Sequence, residues 1–397
     1  MTLVAGAIGW GAGGALLASR PNGAGGSGSG GPGGSGEAGA GGQDSLPIAT
    51  PRPPTGGTEL YGFLPYWEMT DAVAAYLPQV PVGTLALFSV GATTTGGLRH
   101  TDLGYERITG PRGLALIADA HGRGQRVDLV FSSFGYRANA RLFGGDPSAL
   151  ARRSRAAQEL AALATQLGVD GVNVDVELID GDDNDGYATF LADVGARIRA
   201  ANPRATLTVA TTAGHGGADL ARAAVAGGAD RVFLMGYDYH WSGSDAGASA
   251  PIESRDGSLD LSRSIAAYVD AGVPRTRILL GLPLYGMTWP VAGPSGQTAA
   301  LGKGATWIPS QHLDRLLAPG FSPWYDFQEV ADYFVTPTAA GGWTATYYDT
   351  PRTLTPKLAL ARSQGLAGAG FWALGYEQGL PGYTDVMADF VAGRIGG

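Results

Sequence analysis

Residues 170–177 read Asp-Gly-Val-Asn-Val-Asp-Val-Glu, so three valines alternate with Asn173, Asp175 and Glu177. On a β-strand successive side chains point to opposite faces, which puts Val172, Val174 and Val176 on one face and the three polar groups on the other. Carboxylates two residues apart on one face have Cα atoms roughly 6.6 Å apart, close enough for their titrations to be coupled. An ionised Asp175 would raise the pKa of Glu177 and keep it protonated near neutral pH, the state a general acid needs. The bland alternative is a buried ladder bonded to backbone or water. Such a ladder facing the inside of an otherwise apolar barrel is costly without chemistry.

Other chemistries find less support. The chain has no cysteine, which excludes thiolate metal sites, disulfides and Cys nucleophiles. Its five histidines (His100, His121, His215, His240 and His312) show no metal-ligand spacing, so neither a metal nor a cofactor is expected. Asp180–Gly186 superficially resembles a calcium loop, but Asp185 sits where the sharp-turn glycine belongs and Leu191 replaces the bidentate glutamate; a helix-capping loop is expected instead. The formal charge of −8, from 35 acids and 27 bases, argues against a nucleic-acid surface.

The elements that must hold the polar strand are legible around it. Eight β-rich runs occur at 60–66, 84–90, 126–133, 169–177, 206–212, 231–237, 277–285 and 369–374, most of them separated by Ala/Leu/Arg-rich helical stretches. This repetition predicts an α/β fold, a closed (β/α)8 TIM barrel, with a doubly wound open sheet as the alternative. The long interval between the seventh and eighth runs predicts a small α+β insertion at about 287–347, forming one wall of a groove suited to an extended polymer. Ahead of the barrel, residues 1–20 read as a signal or membrane-anchor-like segment. Residues 21–58 read as a Gly/Pro-rich linker, with twelve glycines among the 25 residues from Pro21 to Ser45. A catalytic unit over 59–397 is expected to act as a monomer outside the cytoplasm, touching membrane only through its N-terminal segment. A cytoplasmic metabolic barrel is the competing reading if that segment is inert.

The segment DGVNVDVE resembles the DGxDxDxE signature of glycoside hydrolase family 18, the chitinase-like enzymes. The resemblance extends to Met235-Gly-Tyr237-Asp238-Tyr239, Gly281-Leu-Pro-Leu-Tyr285-Gly and Gly370-Phe-Trp372-Ala-Leu-Gly375, in that order. It implies hydrolysis of β-1,4 bonds beside N-acetylglucosamine by a retaining, substrate-assisted mechanism. Glu177 would be the acid, Asp175 would hold the acetamido N–H, and Tyr237 would donate to the acetamido oxygen. Trp372 would floor the reacting sugar, Asp238 and Tyr285 would contact it, and Asp170 with Gly171 would be structural. Two departures stand out. Asn173 replaces an aspartate, as in the bacterial spore-cortex and cell-wall lytic branch, and is expected to hydrogen-bond Asp175. Ser133-Phe-Gly135-Tyr136 replaces SxGG, placing Tyr136 on the cleft wall near Ser133. Trp67, Trp241 and Trp289 are candidate sugar-stacking rings. The expected partner is an N-acetylglucosamine-containing polysaccharide. A lectin-like binder on the same barrel is the alternative, against which Glu177 argues.

Overall fold

The computed structural model describes residues 59–296 and 299–395; the expected N-terminal segment and linker lie outside them. Seven strands come first: β1 (Glu59–Pro65), β2 (Thr84–Gly91), β3 (Arg126–Phe134), β4 (Gly171–Glu177), β5 (Thr206–Thr212), β6 (Arg231–Met235) and β7 (Ile278–Pro283). The inserted strands follow as β8 (Gly286–Val291), β9 (Ala305–Trp307), β10 (Trp324–Asp326), β11 (Ala331–Pro337) and β12 (Trp343–Tyr348), before β13 (Gly368–Trp372) returns to the main sheet. In that sheet every neighbouring pair is parallel and the order β1-β13-β7-β6-β5-β4-β3-β2 closes on itself. Closure excludes the open doubly wound sheet.

Helices between the strands are built from local signals. Helix Pro147–Leu167 starts where the Asp146 carboxylate accepts from the backbone N–H of Ser148 and Ala149, and stops at Gly168, whose φ of 67° lies in the left-handed region. Ala156, Leu160, Leu163, Ala164 and Leu167 form its buried face. Val172, Val174 and Val176 join the same helix-facing core from β4, as the strand period requires.

Inside the barrel a second apolar cluster contains Tyr61, Phe63, Phe88, Val130, Phe233 and Leu279. Phe233 reaches across the lumen because two neighbours lack side chains. A Cβ on Gly281 would lie 2.4 Å from its ring, and one on Gly370 2.7 Å. Burying such a ring contributes about 2–3 kcal/mol, so these motif glycines have a packing function.

Two strands end earlier than expected. β6 stops at Met235 rather than Tyr237, with Gly236 N–H donating to Gly281 C=O and Asp238 at a positive φ of 61°. β7 stops at Pro283 rather than Tyr285, where Leu284 N–H donates to Trp372 C=O and the chain turns into the insertion. The insertion is an antiparallel sheet of order β10-β11-β12-β8-β9 with the short helix Leu313–Leu316.

Candidate active site

The polar face of β4 points into the barrel and climbs from Asn173 to Asp175 to Glu177, the last residue of the strand. On β3 the facing residues are Val130, Ser132 and Phe134. Asn173 is fully buried, while Asp175 and Glu177 are 4% and 7% exposed. The end of β4 is clamped from outside. Asn139, on helix Tyr136–Phe143, donates through Nδ2 to the carbonyls of Glu177 (2.6 Å) and Leu178 (3.2 Å), and Gly135 N–H donates to Glu177 C=O at 3.0 Å. Leu178 then takes a left-handed φ of 58°, which turns the chain away immediately after the carboxyl.

Burial is the main force on these acids. It pushes the Asp175 carboxyl up to about 7. It also raises Glu177 well above the usual range, and the charges of Asp175 and Asp238 add to it. The mutual effect inferred from spacing is therefore present but secondary to desolvation. Asp238 is pushed by burial to about 6, against the pull of the Tyr285 hydroxyl that donates to it. Tyr237 is half-buried, with its ring 6.1 Å from that of Tyr285 and edge-on. Burial, then the charges of Asp175, Glu177 and Asp238, keep its hydroxyl protonated as a donor.

Beside these acids lies an aromatic cluster. Trp372, half-buried at the end of β13, packs 4.7 Å from Phe88, 5.6 Å from Phe63 and 6.3 Å from Trp67 (ring centroids). Trp67 is half-buried and donates through Nε1 to the Tyr376 hydroxyl at 3.1 Å. Trp241, on the loop after β6, is half-buried and folded over Gly243. Asp170 sits fully buried at the foot of β4, accepting from Val127 N–H and hydrogen-bonded to His121 Nε2 at 2.8 Å. Among the described residues no cluster of three or more His, Asp or Glu is arranged to hold a metal ion, and no helix is long and apolar enough to cross a membrane.

Several sequence expectations need correction. Trp289 is fully buried against Tyr347 and its Nε1 donates to Trp241 C=O, so it has no face for a sugar. Ser133 points outward and donates to Asn139 Oδ1 at 2.7 Å; the inward hydroxyl is Ser132, hydrogen-bonded to Ser89 at 2.8 Å. The cause is strand parity, which puts Ser132 level with Asp175. Asn173 is sealed beneath Asp175, and its amide donates to the Tyr61 hydroxyl rather than to Asp175. Tyr136 opens a helix and is 52% exposed. Sequence reasoning missed Tyr61, Asp128 and Asn139. Parity on β3 was a usable signal for Asp128, a lone acid on the inward face of an apolar strand.

The model of the glycosyl hydrolases family 18 matches residues 130–377. Among curated relatives, the class V chitinase CHIT5 of Lotus japonicus is 29% identical over 36% of this chain and 37% of its own length. The cortical fragment-lytic enzyme of Bacillus anthracis is 23% identical over 73% of this chain and 64% of its own. The chain thus spans less than two thirds of the length of these relatives. Among solved structures, a family 18 chitinase from Cycas revoluta in complex with (GlcNAc)3 superposes with a TM-score of 0.68 at 18% identity, over 84% of this chain and 99% of the other, a likeness of fold.

Proposed function

This chain belongs to glycoside hydrolase family 18, and from that premise we propose that it cleaves β-1,4 bonds next to N-acetylglucosamine with retention of configuration. The observation that carries the reading is Glu177, the last inward residue of β4, kept protonated by burial and by the charges of Asp175 and Asp238. Its proton goes to the leaving glycosidic oxygen as the C–O bond breaks. The substrate's own acetamido oxygen bonds to the anomeric carbon, giving an oxazolinium ion. Asp175 accepts the acetamido N–H and balances the positive charge, while Tyr237 donates to the acetamido oxygen. Glu177, now a carboxylate, takes a proton from water as that water opens the ring on the same face. Trp372 underlies the reacting sugar.

The polymer we favour is a bacterial cell-wall or cortex glycan, supported by Asn173 in the signature and by the likeness to a cortical fragment-lytic enzyme. Such a substrate lies outside the cytoplasm, in keeping with the apolar, glycine-rich N-terminus. Fractionating cells for the full-length chain tests that placement. The activity is tested by incubating the protein with N-acetylglucosamine oligomers and with muropeptide or cortex fragments side by side, following the anomeric proton of the first product by NMR. Initial release of the β-anomer supports the mechanism. Binding without cleavage supports a lectin, and initial α-anomer refutes retention.

A further inference from the structure

Beneath Asp175 the inward face of β4 continues into a buried hydrogen-bonded chain. Asn173 Nδ2 donates to the Tyr61 hydroxyl at 3.0 Å, and that hydroxyl donates to Asp128 Oδ2 at 2.9 Å, with Thr208 Oγ1 donating to the same oxygen at 3.4 Å. Asn173, Tyr61, Asp128 and Thr208 are at most 2% exposed. At its lower end Asp128 lines a cavity of about 150 Å³ on the barrel floor, shared with Glu59, Arg126, Asp230 and Arg231. At its upper end Asn173 Oδ1 and Asp175 Oδ1, on adjacent positions of one strand face, are both buried without a hydrogen-bond partner. The motif glycine makes room for the arrangement, since a Cβ on Gly171 would lie 2.5 Å from Asp128 Oδ1.

We propose that Asp128 is a positioning residue for Asp175, acting through Tyr61 and Asn173 by setting which end of the Asn173 amide faces Asp175. This rests on the hydrolytic reading above. An ionised Asp128 can only accept, so Tyr61 donates downward, the Asn173 NH2 turns to Tyr61, and the Asn173 carbonyl is left for Asp175. A carbonyl neighbour favours the protonated carboxyl, which can donate to it. A protonated Asp128 reverses the chain: it donates to Tyr61, Tyr61 donates to Asn173 Oδ1, and the NH2 faces Asp175 and favours its carboxylate. No proton crosses the amide; Asp128 exchanges its own with the floor cavity. The two acids therefore take the negative charge in turn, and Asp128 supplies the second carboxylate that Asn173 removes from the signature.

The surroundings suit such an exchange. Burial pushes Asp128 up to about 7, with Asp170 and Glu59 adding to the rise and Arg126 and the Tyr61 bond opposing it. Asp230 and Arg231 line the same cavity. Asp175, pushed to about 7, is faced by Glu177, Tyr187 and Tyr237.

The test compares wild type with Asp128→Asn, Tyr61→Phe and the double variant, reading the pH profile of kcat/KM and the 13C NMR titration of the Asp175 carboxyl. Each single variant should move the acid limb and the Asp175 titration down by about half a pH unit or more. The double variant should shift no further than the larger single one. Unmoved titrations in both singles, or shifts that add, would overturn the proposal. Should Asp128→Asn not fold, Tyr61→Phe alone decides. A protein inactive on every glycan would sink the hydrolytic reading, while the Asp175 titration would still report the coupling.

Discussion

At the scale of single residues, burial raises the pKa of several carboxyls in and beneath the active centre. Asp128 and Asp175 are pushed to about 7 and Asp238 to about 6. A carboxyl whose folded pKa exceeds its unfolded value stabilises the fold below the unfolded pKa, and that contribution is lost as pH rises through the folded value. The melting temperature is therefore expected to be highest in mild acid and to fall between about pH 5 and 8, measurable by calorimetry across that range. Replacing Asp175 by Asn should flatten part of that fall while cutting turnover, because the amide no longer charges but also no longer balances the oxazolinium ion. Replacing Glu177 by Gln should lower kcat at least ~10²-fold, the low end for general acid catalysis. Binding of N-acetylglucosamine oligomers, measured by calorimetric titration, should be retained.

Elements decide where those carboxyls stand. β4 delivers its acids by parity alone, but the height and direction of Glu177 depend on what grips the strand end. Asn139 does this from a different unit, bridging helix Tyr136–Phe143 to the carbonyls of Glu177 and Leu178 and accepting from Ser133. Replacing Asn139 by Ala takes the side-chain donor from the half-buried Leu178 carbonyl and one of two donors from the buried Glu177 carbonyl, which keeps Gly135 N–H, and leaves the Ser133 hydroxyl without its acceptor, at a cost of about 1–3 kcal/mol. The expected result is a lower denaturant midpoint together with a fall in kcat larger than any rise in KM. Unchanged kcat in a folded variant would show that the clamp is not needed for aim.

On the scale of the whole molecule, the inserted sheet is fastened to the loop after β6, the loop that carries Tyr237, Asp238 and Trp241. Glu329, fully buried, accepts from Ala248 N–H at 2.9 Å, pairs with Arg255 at 3.0 Å and meets His240 Nε2 at 3.3 Å, while Arg255 also pairs with Asp326. Burial alone would raise the Glu329 carboxyl, but His240, the Ala248 amide and Arg255 hold it below its ordinary range. A depressed carboxyl pKa means stability that is present above the unfolded value and lost as pH falls through the folded one. Glu329→Ala should cost ~3 kcal/mol near neutral pH, and the gap to wild type should narrow in acid. Loosening the loop should raise KM for long oligomers more than for short ones, as steady-state kinetics on a length series would show.

Much of this was legible along the chain. The alternation of Val with Asn, Asp and Glu determined by itself which faces β4 presents and which carboxyls share the lumen, because strand period is a local covalent fact. The βα repetition determined the class of fold, and the length of the interval before β13 determined that something is inserted there. Tertiary structure alone decided the rest. Trp289 was lost as a sugar platform because its burial is set by β12 and the loop after β6, far away in sequence. Ser133 gave way to Ser132 because register between β3 and β4 is a pairing of separate strands. Tyr61 and Asp128 became partners of Asn173 only when closure brought β1, β3 and β4 around one lumen. Periodicity is carried by neighbours in the chain, whereas contact across a barrel is made by residues 67 and 112 positions apart, which no local pattern can bring together.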